Sequence, residues 1–274
     1  LLMITYREYM REIENNIEQN LLDQVIAHST YILKTYPNSI EALRYLAQAY
    51  LEEKKFAEAK ACFEKVLSFI PDDFVSHVGL SSIKEEDRDI NAAIYHMELA
   101  FDTQPSNTIV QEELKRLISL RDGEKPLKIN LSKGALIRMY IKGDLLQQAK
   151  NETETYLSSN PGRLDIQVLL AKILYSSSLK VQAAETCNQI IEQLPYCLEA
   201  NRLLYFIYLE NGLQEQAKIV KERLISLNPY FQFVDAPNIE IEEIPDEKVQ
   251  IERLVYTSAF SANIEDFIPI INNS

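Results

Sequence analysis

The chain has 274 residues, 46% of them hydrophobic and 25% charged, with a formal net charge of −13, an ordinary globular composition with length for about two domain-sized units. Six glycines and no tryptophan argue against β-sandwiches, propellers and glycine-rich phosphate loops. The negative charge disfavours a non-specific grip on nucleic acid or on an anionic membrane, because both need a basic surface.

Leu1-Leu2 ahead of Met3 reads as a remnant before a natural start. No basic-then-apolar leader follows, and no apolar run reaches the ~18 residues a spanning helix needs, so the expected home is the cytoplasm. The first strong helical signal is "KKFAEAKACFEKVLSFIP", residues 54–71, where Phe56, Ala59, Phe63, Val66 and Leu67 share one face. Pro71 ends it, since proline lacks the N–H donor and pushes the residue before it out of the α region.

That ending recurs. Pro37, Pro71, Pro105, Pro161, Pro195 and Pro229 are spaced by 34 residues, apart from one interval longer by 22. Twelve residues before them stand Val25, Ala59, Ala93, Ala149, Ala183 and Ala217, small enough for two helices to approach. Twenty-five residues before them stand Glu12, Leu46, Leu80, Leu136, Leu170 and Leu204, and four before them Leu33, Leu67, Phe101, Leu157, Ile191 and Ile225. These two columns bury the facing sides of a helix A and a helix B. Ser39, Asp73 and Asn107, two residues past a proline, are good N-caps for the next helix A. One hairpin cannot bury its own apolar face, so units must stack into a solenoid.

A 34-residue helix–turn–helix unit with these Leu, Ala and Pro offsets resembles the tetratricopeptide repeat. The resemblance covers residues 6–39, 40–73, 74–107, 130–163, 164–197 and 198–231. It implies an all-α, right-handed α-solenoid of six helical hairpins in two blocks of three, laid out like bacterial multi-repeat proteins without an assigned activity. The expected organisation is an N-terminal block at 4–107, an extra helix and linker at 108–129, a second block at 130–231 and an acidic, apolar tail at 232–274. Where the family carries an early tryptophan, this chain has Tyr9, Leu43, His77, Lys133, Gln167 and Asn201.

The extra segment, "TIVQEELKRLISLRDGEKPLKI", predicts a helix capped at Thr108, with Ile109, Val110, Leu114, Leu117 and Ile118 on one face and an end near Arg121. It is either a rigid splice or a hinge; the splice is preferred, because a lone amphipathic helix needs partners on both sides. Beyond Pro229, Tyr230, Phe231 and Phe233 are placed to cover the flank of the last repeat. The tail from residue 232 holds nine acids against Lys248 and Arg253. Residues 238–247 read as extended, 249–260 as a short helix through Ile251, Leu254, Val255 and Tyr256, and 264–271 as an apolar-acidic segment. Such stretches look like peptide ligands or like a linker cut from a longer chain.

No nucleophile elbow, phosphate loop, HExxH, CxxC or dinucleotide fingerprint occurs. Cys62, Cys187 and Cys197 read as buried thiols, and His77 as a lone buried imidazole. His28, Cys62 and His96 repeat at the lattice spacing, but equivalent positions lie about a helix diameter apart, too far for ~2.0–2.3 Å metal bonds. The expectation is therefore no catalysis, no metal and no cofactor.

The resemblance places ligand contacts on the concave face, at the second, fifth, ninth and twelfth positions of helix A. These are Arg44 and Gln48, with Tyr45 adjacent; Val75, Val78 and Ser82; Leu131 and Arg138; Val168, Lys172 and Tyr175; and Arg202 and Phe206. Arginine forks there would pair with carboxylates while the aromatic rings bury side chains. Glu41, Asp165 and Glu199 on the same face dilute the charge. The chaperone carboxylate clamp is not expected, because Gly79 and Val75 or Leu131 stand where it needs Asn and Lys. The function expected is protein or peptide binding, with the 238–274 tail docking on its own or a neighbouring molecule. The alternatives are a homo-oligomeric self-assembly module stacking through its ends and an adaptor or sensor of a larger enzyme system.

Overall fold

The computed structural model describes residues 2–256, and helices dominate it. Strand β1 (Met3–Thr5) leads into α1 (Tyr6–Glu18) and α2 (Leu22–Thr35), followed by α3 (Ile40–Glu52) with α4 (Phe56–Phe69) and α5 (Phe74–Glu86) with α6 (Ile90–Thr103). A single helix, α7 (Thr108–Asp122), precedes the pairs α8 (Lys133–Lys142) and α9 (Leu146–Ser159), α10 (Leu164–Ser176) and α11 (Lys180–Gln193), and α12 (Leu198–Glu210) and α13 (Gln214–Leu227). Strand β2 (Gln250–Glu252) comes last among the described residues.

Local chemistry sets these boundaries. Each second helix of a pair stops two residues before a lattice proline. Ser39 and Asp73 accept from Ala42 N (3.3 Å) and Ser76 N (2.9 Å), and Asn107, rather than Thr108, caps α7. The turn inside each pair uses a left-handed residue: Asn20, Lys54, Arg88, Asp144 and Ser178 at φ 55–63°, and Gly212 at φ 70°. The next residue then donates to the carbonyl five positions back, as Lys55 N does to Tyr50 O (2.8 Å), closing a Schellman-type end.

The turn between pairs has its own device. His77 Nε2, Gln111 Nε2, Gln167 Nε2 and Asn201 Nδ2 donate to the carbonyls of Pro71, Pro105, Pro161 and Pro195 at 3.1, 2.6, 2.7 and 3.0 Å. A polar side chain thus satisfies a carbonyl that the broken helix leaves without an intrahelical partner.

The described residues form two compact units, residues 2–66 with 208–256 and residues 67–207. In the second unit the column residues Ala93, Ala149 and Ala183 are fully buried. Val110, Leu114 and Leu117 of α7 join a core with Ile94, Met97 and Phe101. Ile109, expected on that packed face, is 79% exposed. Helix α7 packs on α6 as a helix A would, yet α8 packs on α6 as well. Gly134 makes the second approach: a Cβ there would lie 2.0 Å from Asp102 Oδ2.

In the first unit, β1 and β2 pair antiparallel with Ile4 opposite Ile251. Tyr6 N donates to Val249 O (3.0 Å) and Arg253 N to Leu2 O (2.8 Å), extending the ladder at both ends. A 3₁₀ turn at Pro229–Phe233 packs on α13 and buries Tyr230 and Phe231. Tyr230 and Tyr36 both meet the Tyr6 ring edge-on, at 6.2 and 5.6 Å. The tail departs from the sequence expectation in two places. Residues 238–247 contain short 3₁₀ turns (Ile241–Glu243, with Asp246–Lys248 following), and the expected helix at 249–260 is replaced by β2 and irregular chain through Tyr256. Ile251 of that strand alternates with exposed or half-buried neighbours, a period-2 pattern that edge pairing rewards and a helix does not. Residues 257–260, and the segment 264–271, lie outside the described residues.

Candidate peptide-binding surfaces

The helix A residues of the second unit divide by burial. Val75 and Val78 are half-buried, and Ser82 is exposed and donates to Val78 O (3.3 Å). Leu131, expected on a helix A, is exposed and lies two residues ahead of α8, which Ser132 caps. Val168 and Phe206 are 7% and 2% exposed, so both belong to the packing rather than to an open face. The Arg202 guanidinium lies 6.0 Å from the Phe206 ring centroid and pairs with Glu199 (3.0 Å). Tyr175 has the Lys180 ammonium over its ring at 5.6 Å. Lys172 is half-buried and has no carboxylate partner among the described residues.

Arg138 is already spent. Its Nη2 reaches Asp72 (2.9 Å) and Asp165 (3.4 Å), and its Nη1 donates to Gly134 O (3.2 Å). Behind it Arg163 holds Asp165 at 2.8 Å and Asp102 at 3.1 Å and donates to Tyr156 Oη (2.8 Å), while Ser132 Oγ donates to Asp102. Burial alone would push the Asp165 carboxyl up, but Arg163 and Arg138 outweigh it and hold it below the usual carboxylate range. This network locks α6, α8 and α10 together, with a cavity of about 400 Å³ beside it lined by Tyr95, Glu98, Lys128, Tyr156 and Arg163.

In the first unit Arg44, Tyr45 and Gln48 on α3 are half-buried beside Glu41. Burial pushes the Glu41 carboxyl up, and Arg44 and Arg7 oppose the rise. Burial likewise raises the Tyr45 phenol.

The most elaborate polar site on a helix A is one the sequence reading passed over. The positional rule that returned Arg44 also returns Arg7, at the second position of the first and most divergent repeat. Arg7 on α1 donates to the carbonyls of Ile241 and Ile244, pairs with Asp246 (2.8 Å), and lies 3.9 Å over the Tyr230 ring. Arg11, one turn on, pairs with the other Asp246 oxygen (3.0 Å). Tyr230 Oη donates to Asp246 O (2.7 Å), Glu12 pairs with Arg253 (2.6 Å), and Leu254 N donates to Tyr9 Oη (3.1 Å). The Arg7 bond is the first cause of an Asp246 carboxyl held below its ordinary range. One helix face thus holds an acidic, apolar peptide by its main chain and by one carboxylate.

His77 is not alone. Its Nδ1 lies 3.1 Å from His96 Nδ1, and the bond to Pro71 O places its proton on Nε2. Tyr9 with His28 (2.8 Å) and Lys133 with Glu152 (2.5 Å) repeat the same cross-helix pairing 19 residues apart. No group of three or more His, Cys, Asp or Glu among the described residues is arranged to hold a metal ion. The three cysteines are buried free thiols; burial raises the Cys62 thiol to about 12. No helix among the described residues is long and apolar enough to cross a membrane.

Residues 40–73 match the profile of the tetratricopeptide repeat. No curated protein matches the chain. Among solved structures, Naa15/Naa10 bound to HypK-THB is 16% identical over 85% of this chain, with a TM-score of 0.38; this chain spans 39% of that one. The C-terminal part of a TPR repeat-containing protein from Cytophaga hutchinsonii is 15% identical, covering 80% of this chain and 95% of that one, at a TM-score of 0.38. The P58(IPK) TPR domain is 12% identical, covering 86% of this chain and 62% of that one, at 0.37. The matched repeat, the 34-residue proline lattice and the paired helices lead to one conclusion. The chain resembles tetratricopeptide-repeat proteins.

Proposed function

We propose that the protein is a non-catalytic scaffold that captures acidic, apolar peptide segments on the helix A faces of its repeats. The observation that carries this is the Arg7 fork, which grips two main-chain carbonyls and the Asp246 carboxylate while stacked on Tyr230. Guanidinium–carboxylate bonds are among the stronger polar contacts, and a planar fork fixed against an aromatic ring loses little freedom on binding. A surface preformed on paired helices avoids the ordering cost that a flexible loop incurs. Within the second unit the same reading leaves Lys172, Val75 and Val78, with Leu131 just ahead of α8, as the contacts open to a ligand, with Arg138 and Arg202 engaged by the protein itself.

The test is calorimetric titration of a chain ended after Pro237, with its helix content checked by circular dichroism, against a peptide of residues 238–256. Micromolar binding that weakens with salt and falls at least about tenfold in Arg7→Ala is expected, since a charge-assisted bond is worth about 1.5–3 kcal/mol. A folded, truncated chain that binds no peptide would refute the proposal.

A further inference from the structure

The helix face that the peptide-capture reading singles out is already filled by the chain's own tail. We infer that residues Ile241–Leu254 are a displaceable latch, lying in cis where a partner's acidic, apolar peptide docks, and that the partner enters by exchanging with them. The inference rests on the proposed peptide-binding role of α1.

Three features separate the latch from its anchor. The anchor, Pro229–Val234, is well buried: Tyr230 is 0% exposed, Phe231 8% and Val234 4%. The latch buries only Ile244, Val249 and Ile251 and adds a three-residue strand at the edge of a two-stranded sheet. Its ion pairs sit near solvent, with the Arg11 side chain 62% and the Asp246 side chain 30% exposed. Between the two lies 235–240, "DAPNIE", exposed or half-buried throughout. The chain can therefore release the latch while the core of the unit stays packed.

The contacts that hold the latch also describe its competitor. A ligand that keeps apolar residues at the places of Ile244 and Ile251 and the carboxylate of Asp246 meets the same partners as the tail, without any change in the site.

The test uses the full chain and a fluorescent peptide of residues 238–256. Where a cis segment occupies the site, apparent affinity falls by the fraction of sites left open. Asp246→Ala in the chain, which removes the two ion pairs that Asp246 makes with Arg7 and Arg11 and leaves α1 intact, should tighten binding of the peptide about tenfold over the wild type. Arg253→Ala, which frees the latch from Glu12, should tighten it in the same direction, and Arg7→Ala should abolish the gain. Equal and measurable affinity for wild type, Asp246→Ala and Arg253→Ala would overturn the latch while leaving peptide capture standing. No binding to any of these, with none to the truncated chain either, would overturn the capture reading itself. A wild-type chain that runs as a dimer in light scattering at micromolar concentration, and as a monomer once ended after Pro237, would show tails exchanged between copies and overturn a cis latch.

Discussion

Replacing Gly134 by alanine is expected to destabilise the protein, although a glycine-to-alanine change inside a helix ordinarily gains up to about 1 kcal/mol. Gly134 is the second residue of α8, where that gain is smaller. The added Cβ would stand 2.0 Å from Asp102 Oδ2 and 2.7 Å from Asp102 Cγ. Even a close C–H···O contact needs about 3.3–3.6 Å, so the groups must part by more than about 1 Å. Asp102 cannot swing away freely: it is buried, accepts from Ser132 and pairs with Arg163 at 3.1 Å. Breaking a buried ion pair costs about 3–5 kcal/mol, and Arg163 keeps its bonds to Asp165, so a net loss of about 2–4 kcal/mol is expected. At a typical urea slope of about 1–3 kcal/mol per M, the denaturation midpoint followed by circular dichroism should fall by about 1–2 M. Adding Asp102→Ala should give a double variant less destabilised than the two single changes predict together, because the clash goes with the carboxylate. A Gly134→Ala protein as stable as the wild type would refute the close-approach argument.

Three other outcomes are expected. Lys54→Gly, Arg88→Gly and Ser178→Gly should each raise stability by about 1 kcal/mol, and Gly212→Ala should lower it by about 1–2 kcal/mol, because these positions have positive φ; urea denaturation of each variant checks it. Asn201→Leu should cost about 1–3 kcal/mol, since it leaves Pro195 O without its side-chain donor while the Asn201 site is fully buried, and a melting temperature unchanged from wild type would contradict it. The pH dependence follows from the histidines: burial first, then His77 and Lys84, lowers His96 to about 4, and burial lowers His28 and His77. With folded values below the ordinary 6.5, the unfolded chain takes up protons first. Stability should be full above about pH 6.5 and fall towards pH 4, and His96→Gln should flatten that fall in urea titrations at pH 7.5, 6 and 5.

Much of the helical lattice was legible as columns. Ala93, Ala149 and Ala183 are buried as their spacing required, and Ser39, Asp73 and Asn107 cap as their positions required. The polar column at His77, Gln167 and Asn201 was visible as a departure from the family's tryptophan. Its bond to the proline carbonyl six residues back was not, because a donor's reach depends on the turn that precedes it. The left-handed column was hidden by chemistry: only Gly212, Asn20 and Asp144 are residues that favour such a turn, while Lys54, Arg88 and Ser178 are held there by the helices on either side. The His77–His96 pair followed from two columns already in hand, 19 residues apart, once helix A and helix B were set face to face.

The candidate site was less legible, for a physical reason. The groove rule names positions, but whether an arginine there is available depends on carboxylates distant in sequence, as Arg138 with Asp72 shows. The rule applied to the first repeat would have returned Arg7; nothing local to it says that Ile241, Ile244 and Asp246 arrive from the far end of the chain.

The sequence by itself determined the helices, their ends and the 34-residue period, because propensity, capping and proline act within a few residues. Only the tertiary structure decided that residues 250–252 form a strand, that Gly134 must lack a side chain and that Arg7 holds the tail. Each of those depends on what a segment packs against, and edge pairing, close approach and charge partnership all join residues that the local pattern leaves unconnected.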